Sequence, residues 1–387
     1  MTSELSNNPD SPELSQDTIS ATLEMHLEVD LDEQGQMRVG FTHEVSEVRR
    51  LLGVERALRE FAKTKGSLCT FHPRTRLKAA RMSMDPLLRF IREAALYHHD
   101  FGEVLPFHRL PPRCQALIEV ADMFPEGDFV PARKLRLPED DLPRFCVRMQ
   151  RFEKELRAAL RSPEIRAIEN GRRRKCNKNY KAGATLLQAC LVCCSRVLSV
   201  RVDLYYRKGS AMGYPNQTPE DRQAKAQQVL RQRNQLLKQV KMKYGRGLLG
   251  FMCKLEYGQH RGFHLHTWFI LNGHDHQNAI GIGEDVGGLW RTLTMGEGHH
   301  FNCAKSDRYL HRGVGTLSAD DSRIWTGFHL LLVYLTKTDE LIEMELGDGT
   351  PVFTKSRLPK PSHWPGRPRS RAPCVNPYLN RRGDRKA

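Results

Sequence analysis

Residues 248–273, "LLGFMCKLEYGQHRGFHLHTWFILNG", hold two apolar runs joined by the short polar loop "GQHRG", and this stretch restricts the fold more than any other. Polar groups recur at every second position near the loop (Lys254 and Glu256 in the first run, His264 and His266 in the second), which is the period of a strand. Folded back through the loop, the two runs form an antiparallel hairpin in which Tyr257 faces Phe263 and Glu256 lies opposite His264. Directly opposed residues share a face, with Cβ atoms about 4.5–5.5 Å apart. His264 and His266 share that face with Trp268, whereas Leu265, Thr267 and Phe269 point away. Glu256, His264 and His266 are therefore candidate ligands for one divalent metal ion with positions left for water and substrate. A His-x-His strand by itself is also what two satisfied half-buried histidines look like. The glutamate in the same register is what favours metal. The other histidines lack a shared face: His274 and His276 flank an aspartate in a turn, and His299 and His300 are adjacent and diverge. His260, in the loop, is a substitute ligand on a less rigid perch. All five read as surface or loop residues.

The surrounding pattern is α+β. "SRVLSVRVDLYYRKG" (195–209) alternates like a strand. The helix that follows opens with Thr218 as cap, Pro219 at the first helical position and Glu220 and Asp221 in the first turn. Residues 275–294 read as a glycine-interrupted helix, "GEGHHFNC" (296–303) as a loop, and residues 322–338 as a buried helix. This order fits an antiparallel sheet with helices packed on it, occupying residues 195–345. Ahead of it, residues 45–170 show helical spacing and read as an accessory helical region. The basic run "GRRRKCNKNYK" opens a segment, 171–194, expected to be a linker, with phosphate contact as the alternative. Residues 1–44 are expected to be an acidic, largely disordered tail, and residues 346–387 a basic Pro-rich tail, ordered only on meeting a polyanion.

Charge separates these regions. The chain of 387 residues carries a net +16, yet residues 1–47 hold eleven acidic residues against Arg38, so the remainder is more basic still. A body of this kind suits a polyanionic partner, nucleic acid foremost. The longest apolar runs fall short of the roughly 20 residues that cross a bilayer, and no membrane partner is expected. The N-terminus lacks the pattern of a secretory signal, so a cytoplasmic location is expected. Ten irregularly spaced cysteines then read as reduced thiols. "CLVCC" (Cys190, Cys193, Cys194) hints at a thiolate site, but no second Cys-x-x-Cys completes it.

A metal site in a basic body directs attention to phosphate chemistry and to a nucleophile. "VYLTK" places Tyr334 and Lys337 three residues apart, on one side of the expected helix. A tyrosine hydroxyl, with an ordinary pKa of about 10, needs a neighbouring cation and a polarising metal to act as a nucleophile. The competing reading is a core tyrosine with its hydroxyl at the surface.

Two histidines flanking a hydrophobic residue on a strand, followed by Tyr-x-x-Lys on a later helix, resemble motifs of the HUH endonucleases. More narrowly, "VRVDLYY", "KLEYGQHRGFHLHTWFILNG", "GLWRTLT", "GEGHHFN", "GVGTL" and "VYLTK", in this order, resemble rolling-circle replication initiators of the inovirus type, from filamentous phages and prophages. The resemblance covers residues 195–340. It implies an HUH/RRM-like nuclease fold, with Glu256, His264 and His266 holding Mg2+ or Mn2+. Tyr334 would be the nucleophile that leaves a 5′-phosphotyrosine, and Lys337 its electrostatic assistant. No second tyrosine stands at helical spacing from Tyr334, so the pattern is that of a single-tyrosine version. The implied partner is single-stranded or extruded origin DNA in a bacterial cytoplasm, with host helicase and polymerase to follow. Lys254, Arg261 and Trp268 are the expected DNA contacts, Trp268 or Tyr257 by base stacking. Two rivals remain: a phosphodiesterase that uses water, and a nucleic-acid-binding regulator without activity.

Overall fold

The computed structural model describes residues 18–20, 28–31, 37–40, 43–76, 78–96, 107–129, 137–207, 212, 218–258, 262–306, 313–346, 349–360 and 372–378. The chain divides into two compact units: residues 41–173 with 340–343, and residues 1–40, 174–339 and 344–387. Among the described residues no helix is long and apolar enough to cross a membrane.

Within residues 1–44 a short antiparallel pair forms, β1 (Glu28–Leu31) with β2 (Met37–Gly40), and the rest of the segment expected to be a largely disordered tail lies mostly outside the described residues.

The first unit is built from α1 (His43–Lys63), the hairpin β3 (Cys69–His72) and β4 (Arg81–Met84), α2 (Pro86–Ala94), α3 (Pro112–Ala121) and α4 (Leu142–Leu160). The helices follow the apolar spacing, while the hairpin is an addition to the expected helical accessory region. It is secured by Glu153 of α4, whose carboxylate accepts from the backbone N–H groups of Leu68 and Cys69 and from Ser67 Oγ.

Helix α5 (Pro163–Cys193) overturns the expected linker at 171–194. Cys176, Tyr180, Ala184, Leu187 and Leu191 recur every three or four residues and are buried, while Arg174, Lys178 and Lys181 remain exposed. The basic run conceals the period because it contains too few apolar positions to reveal it.

The second unit is a six-stranded antiparallel sheet with helices on both faces, consistent with the expected α+β class. Its members are β5 (Arg196–Tyr206), α6 (Pro219–Tyr244), β6 (Leu248–Gly258), β7 (Gly262–Asn272), α7 (Ala279–Leu293), β8 (Gly298–Asn302), β9 (Gly315–Ser318), α8 (Ile324–Thr336) and β10 (Phe353–Lys355). The strand order is β9-β5-β7-β6-β10, and β8 pairs with the C-terminal half of β5. The side chain of Thr218 accepts from the N–H of Asp221 at the start of α6, as its sequence requires.

One end of one sheet face is covered by α5 and α8, where Val197, Met252, Trp268 and Ile270 pack with Leu187, Leu191, Phe328 and Leu332. The opposite face meets α7, where Trp290 lies against Tyr206. "GEGHHFNC", expected as a loop, is largely strand β8. It lies close to α7 because Gly283 and Gly287, one helical turn apart, leave room. A Cβ on Gly283 would sit 2.4 Å from Asn302, and one on Gly287 would sit 2.3 Å from the His300 ring.

The C-terminal tail is also ordered in part. β10 pairs with β6, and in residues 372–378 the Cys374 N–H donates to Ala319 O at 2.7 Å while Tyr378 stacks on His329 at 4.0 Å. Phe353, Cys374 and Tyr378 supply apolar groups to the core among the prolines and arginines.

Candidate metal centre

The hairpin β6–β7 has the register anticipated from its sequence: Tyr257 pairs with Phe263 and Glu256 with His264. Glu256, His264 and His266 consequently converge, each offering a ligand atom, all within 4.8 Å of one another, and all three residues are buried. Donors about 2.1 Å from one ion can be at most about 4.2 Å apart, close to the 4.8 Å within which these ligand atoms lie. The donor set therefore fits a divalent ion. Among the described residues no other group of three or more His, Cys, Asp or Glu side chains meets the same condition. The "CLVCC" thiols do not form one, and burial pushes the Cys190 thiol up.

Hydrogen bonds to the outer atoms orient the ligands. His266 Nδ1 lies 2.9 Å from Asp203 Oδ1, so Nδ1–H donates to this carboxylate and the Nε2 lone pair faces Glu256 Oε2, 3.7 Å away. His264 Nδ1 lies 3.1 Å from Gly262 O, which places its proton on Nδ1 and leaves Nε2 as donor to metal. Burial acts to raise the Asp203 carboxyl, but Arg201 and His266 outweigh it and hold it well below the ordinary carboxylate range.

Glu256 is fixed from behind. Lys254 donates through Nζ to Glu256 Oε1 at 2.8 Å, to Asp339 Oδ1 at 2.9 Å and to Thr338 Oγ1. This arrangement leaves Glu256 Oε2 turned to the site. Burial acts to lower the Lys254 ammonium, but Asp339 and Glu256 outweigh it and hold it above its ordinary range.

Tyr334, on α8, reaches the cluster: its hydroxyl lies 3.3 Å from His266 Nε2 and 3.5 Å from Nδ1. The cation beside it is Arg201, whose guanidinium sits 4.3 Å above the tyrosine ring. Lys337, expected to assist Tyr334, instead has its ammonium on Asn177 Oδ1 and 5.9 Å from the Tyr180 ring. Helical spacing puts residues 334 and 337 on one side but does not aim a long flexible side chain, and α5 provides Lys337 with a nearer acceptor.

The expected DNA contacts fare differently. Lys254 is fully buried and committed to Asp339 and Glu256, so it makes no contact with a polyanion. Trp268 is fully buried, with its indole N–H donating to Ser199 Oγ at 2.8 Å and Phe328 edge-on at 5.3 Å. Tyr257 is buried against Phe263. Neither ring has a free face for a base. All three are on the anticipated strands, but period-2 alternation separates the two faces without saying which end of a face a helix will cover. Arg261 and His260 lie outside the described residues. His274 bonds Ser195, His276 lies edge-on to Tyr244, His299 accepts from Arg207 and His300 faces Glu284.

Asp203 and Arg201 were not singled out in the sequence. Their alternation in "RVDLYY" placed them on one face of β5, but the pairing of β5 with β7, which sets Asp203 opposite His266, has no local signature. Comparison with family models, with curated proteins and with solved structures finds no match for this chain.

Proposed function

We propose that the chain is a metal-assisted DNA nickase of the rolling-circle-initiator type, acting on single-stranded or extruded origin DNA. The observation that carries this reading is the tyrosine hydroxyl of Tyr334 beside the His266 ring of a buried two-histidine, one-carboxylate cluster. A hydrolase that activates water has no need of a tyrosine there.

On this reading the Tyr334 oxygen attacks the scissile phosphorus, the P–O3′ bond breaks, and the chain is linked to the 5′-phosphate. The phenolic proton is lost to solvent, and the departing 3′-oxygen gains one to become a free 3′-hydroxyl. Because one phosphodiester replaces another, the step is reversible without a nucleotide cofactor. Glu256, His264 and His266 would hold the ion, Mn2+ or Mg2+. When bound, it polarises the phosphate oxygens. Two imidazole donors suit Mn2+ better than Mg2+. Arg201, whose guanidinium lies 4.3 Å above the Tyr334 ring, would favour the negatively charged phenolate. The net charge of +16 fits a polyanionic substrate. The product 3′-hydroxyl is what a host polymerase extends once a helicase has opened the duplex, in the cytoplasm of a bacterium carrying a phage or prophage.

The test is incubation with end-labelled single-stranded DNA and Mn2+, resolved on a denaturing gel, with Tyr334→Phe and His264→Ala alongside. The expected result is a metal-dependent band shift that survives denaturant and is absent from both variants. Cleavage without adduct and unaffected by Tyr334→Phe would identify a phosphodiesterase. Binding with neither cleavage nor adduct, across several candidate origins, would identify a regulator.

A further inference from the structure

The sheet face that carries the metal ligands continues beyond the cover of α8. On β5 the residues of that face are Arg201, Asp203, Tyr205 and, just past the strand, Arg207. Across β8, His299 is paired with Tyr205 and Phe301 with Asp203, so both belong to it as well. Exposure rises along this line. His266 is 1% exposed and the Asp203 side chain 14%. Tyr205, His299 and Phe301 are half-buried, and Arg207 is exposed. Accessibility thus increases from the metal centre towards these aromatic rings.

The rings are arranged as a surface. Tyr205 and His299 stack, with centroids 6.0 Å apart and planes 18° from parallel. Arg207 Nε donates to His299 Nε2 at 2.7 Å, which fixes the imidazole and sets a cation at the margin. The backbone beneath is tied by hydrogen bonds: Tyr205 O accepts from Trp290 Nε1 at 3.0 Å, and Arg207 N–H donates to Glu297 O at 2.8 Å. Tyr205 is two residues from Asp203, about 7 Å along the strand, within reach of a nucleotide adjoining one whose phosphate occupies the metal centre.

We propose that Tyr205, His299 and Phe301, edged by Arg207, form a stacking platform for the bases of single-stranded DNA that flank the phosphate held at Glu256, His264 and His266. The occupant follows from the chemistry: flat π faces accept any base, and the adjoining guanidinium with the basic body suits a phosphate backbone. Paired bases in a duplex do not offer their faces, so the platform selects single strands. The choice of DNA rests on the nickase reading, while the stacking role does not require cleavage.

The test is fluorescence anisotropy of labelled single-stranded DNA against the full chain carrying Tyr334→Phe, without metal, so that no covalent link forms. Tyr205→Leu and Phe301→Leu are each expected to weaken binding by about 5- to 100-fold. Their salt dependence should be unchanged, because no phosphate contact is removed, and a fully paired hairpin should compete poorly. Tyr205→Trp restores a ring and is expected to bind as the parent does, which separates stacking from misfolding. Parental affinity in both leucine variants would overturn the proposal, as would equal binding of duplex. If the wild-type chain forms no adduct yet the leucine variants lose single-strand binding, the platform stands and the nickase falls. If adduct forms and the leucine variants change nothing, the reverse holds.

Discussion

Replacing Lys254 with methionine separates two roles for this lysine. Methionine keeps the apolar stem and removes the ammonium, which leaves the carboxylates of Glu256 and Asp339 facing one another in the interior. The side chains of all three are at most 6% exposed, so water screens little of the loss. Removing one partner of such a buried group costs about 3–5 kcal/mol, because the remaining charge is uncompensated. For a unit of about 250 residues each kcal/mol moves the melting temperature by about 2–4 °C, so Lys254→Met should lower it by about 6–20 °C. Thermal unfolding followed by tryptophan fluorescence reads this directly, since Trp268, Trp290 and Trp325 are buried in the same unit. The double variant Lys254→Met with Asp339→Leu should recover part of the loss by deleting one stranded carboxylate. A melting temperature within about 2 °C of the parent, together with weakened DNA binding, would refute the buried network and restore the lysine as a surface contact.

Asp203→Asn removes the anion that orients His266 and should weaken Mn2+ binding about 10- to 100-fold by calorimetry, with the fold intact. Gly287→Ala drives a Cβ into the His300 ring and should cost about 1–3 kcal/mol in urea unfolding, whereas Gly288→Ala, with nothing within 4 Å, should not. Glu284 is pushed up by partial burial but drawn down further by Asn302, Lys305 and His300, from 4.5 to about 2. Its contribution to stability is present above pH 4.5 and disappears as pH falls towards 2. The parent should therefore exceed Glu284→Gln by a margin that closes over this range, and a small one, since the carboxylate is 42% exposed.

The site was legible where one hairpin contains it. Glu256, His264 and His266 belong to neighbouring strands joined by a short loop, so alternation and register sufficed to bring them together. Tyr334 was found from its helix and its spacing. Asp203, Arg201 and Asp339 were not, because each meets the site through a pairing or packing contact with no marker in its own segment. The same limit produced the errors. The glycines of α7 were visible as interruptions, but only the approach of β8 shows that Gly283 and Gly287 accommodate Asn302 and His300. Helix α5 was hidden by its basic residues, since the buried side of that run carries only Cys176 and Tyr180 as apolar marks, with the charged Arg172 buried beside them.

The order in which the chain is synthesised makes its assembly slow to complete. Arg172, buried in the helical unit, donates to Leu341 O, 169 residues later, and pairs with Glu343 at 3.1 Å. At about 5–20 residues per second, its acceptor leaves the ribosome roughly ten to thirty seconds after it does. The sheet unit waits longer still, for Cys374 and Tyr378 to close over Ala319 and His329. During that interval the nascent chain has no complete unit, and the apolar strands of its sheet are exposed. A premature stop before residue 340 therefore leaves both units open, and the expected outcome is loss of the product rather than a shorter protein that works.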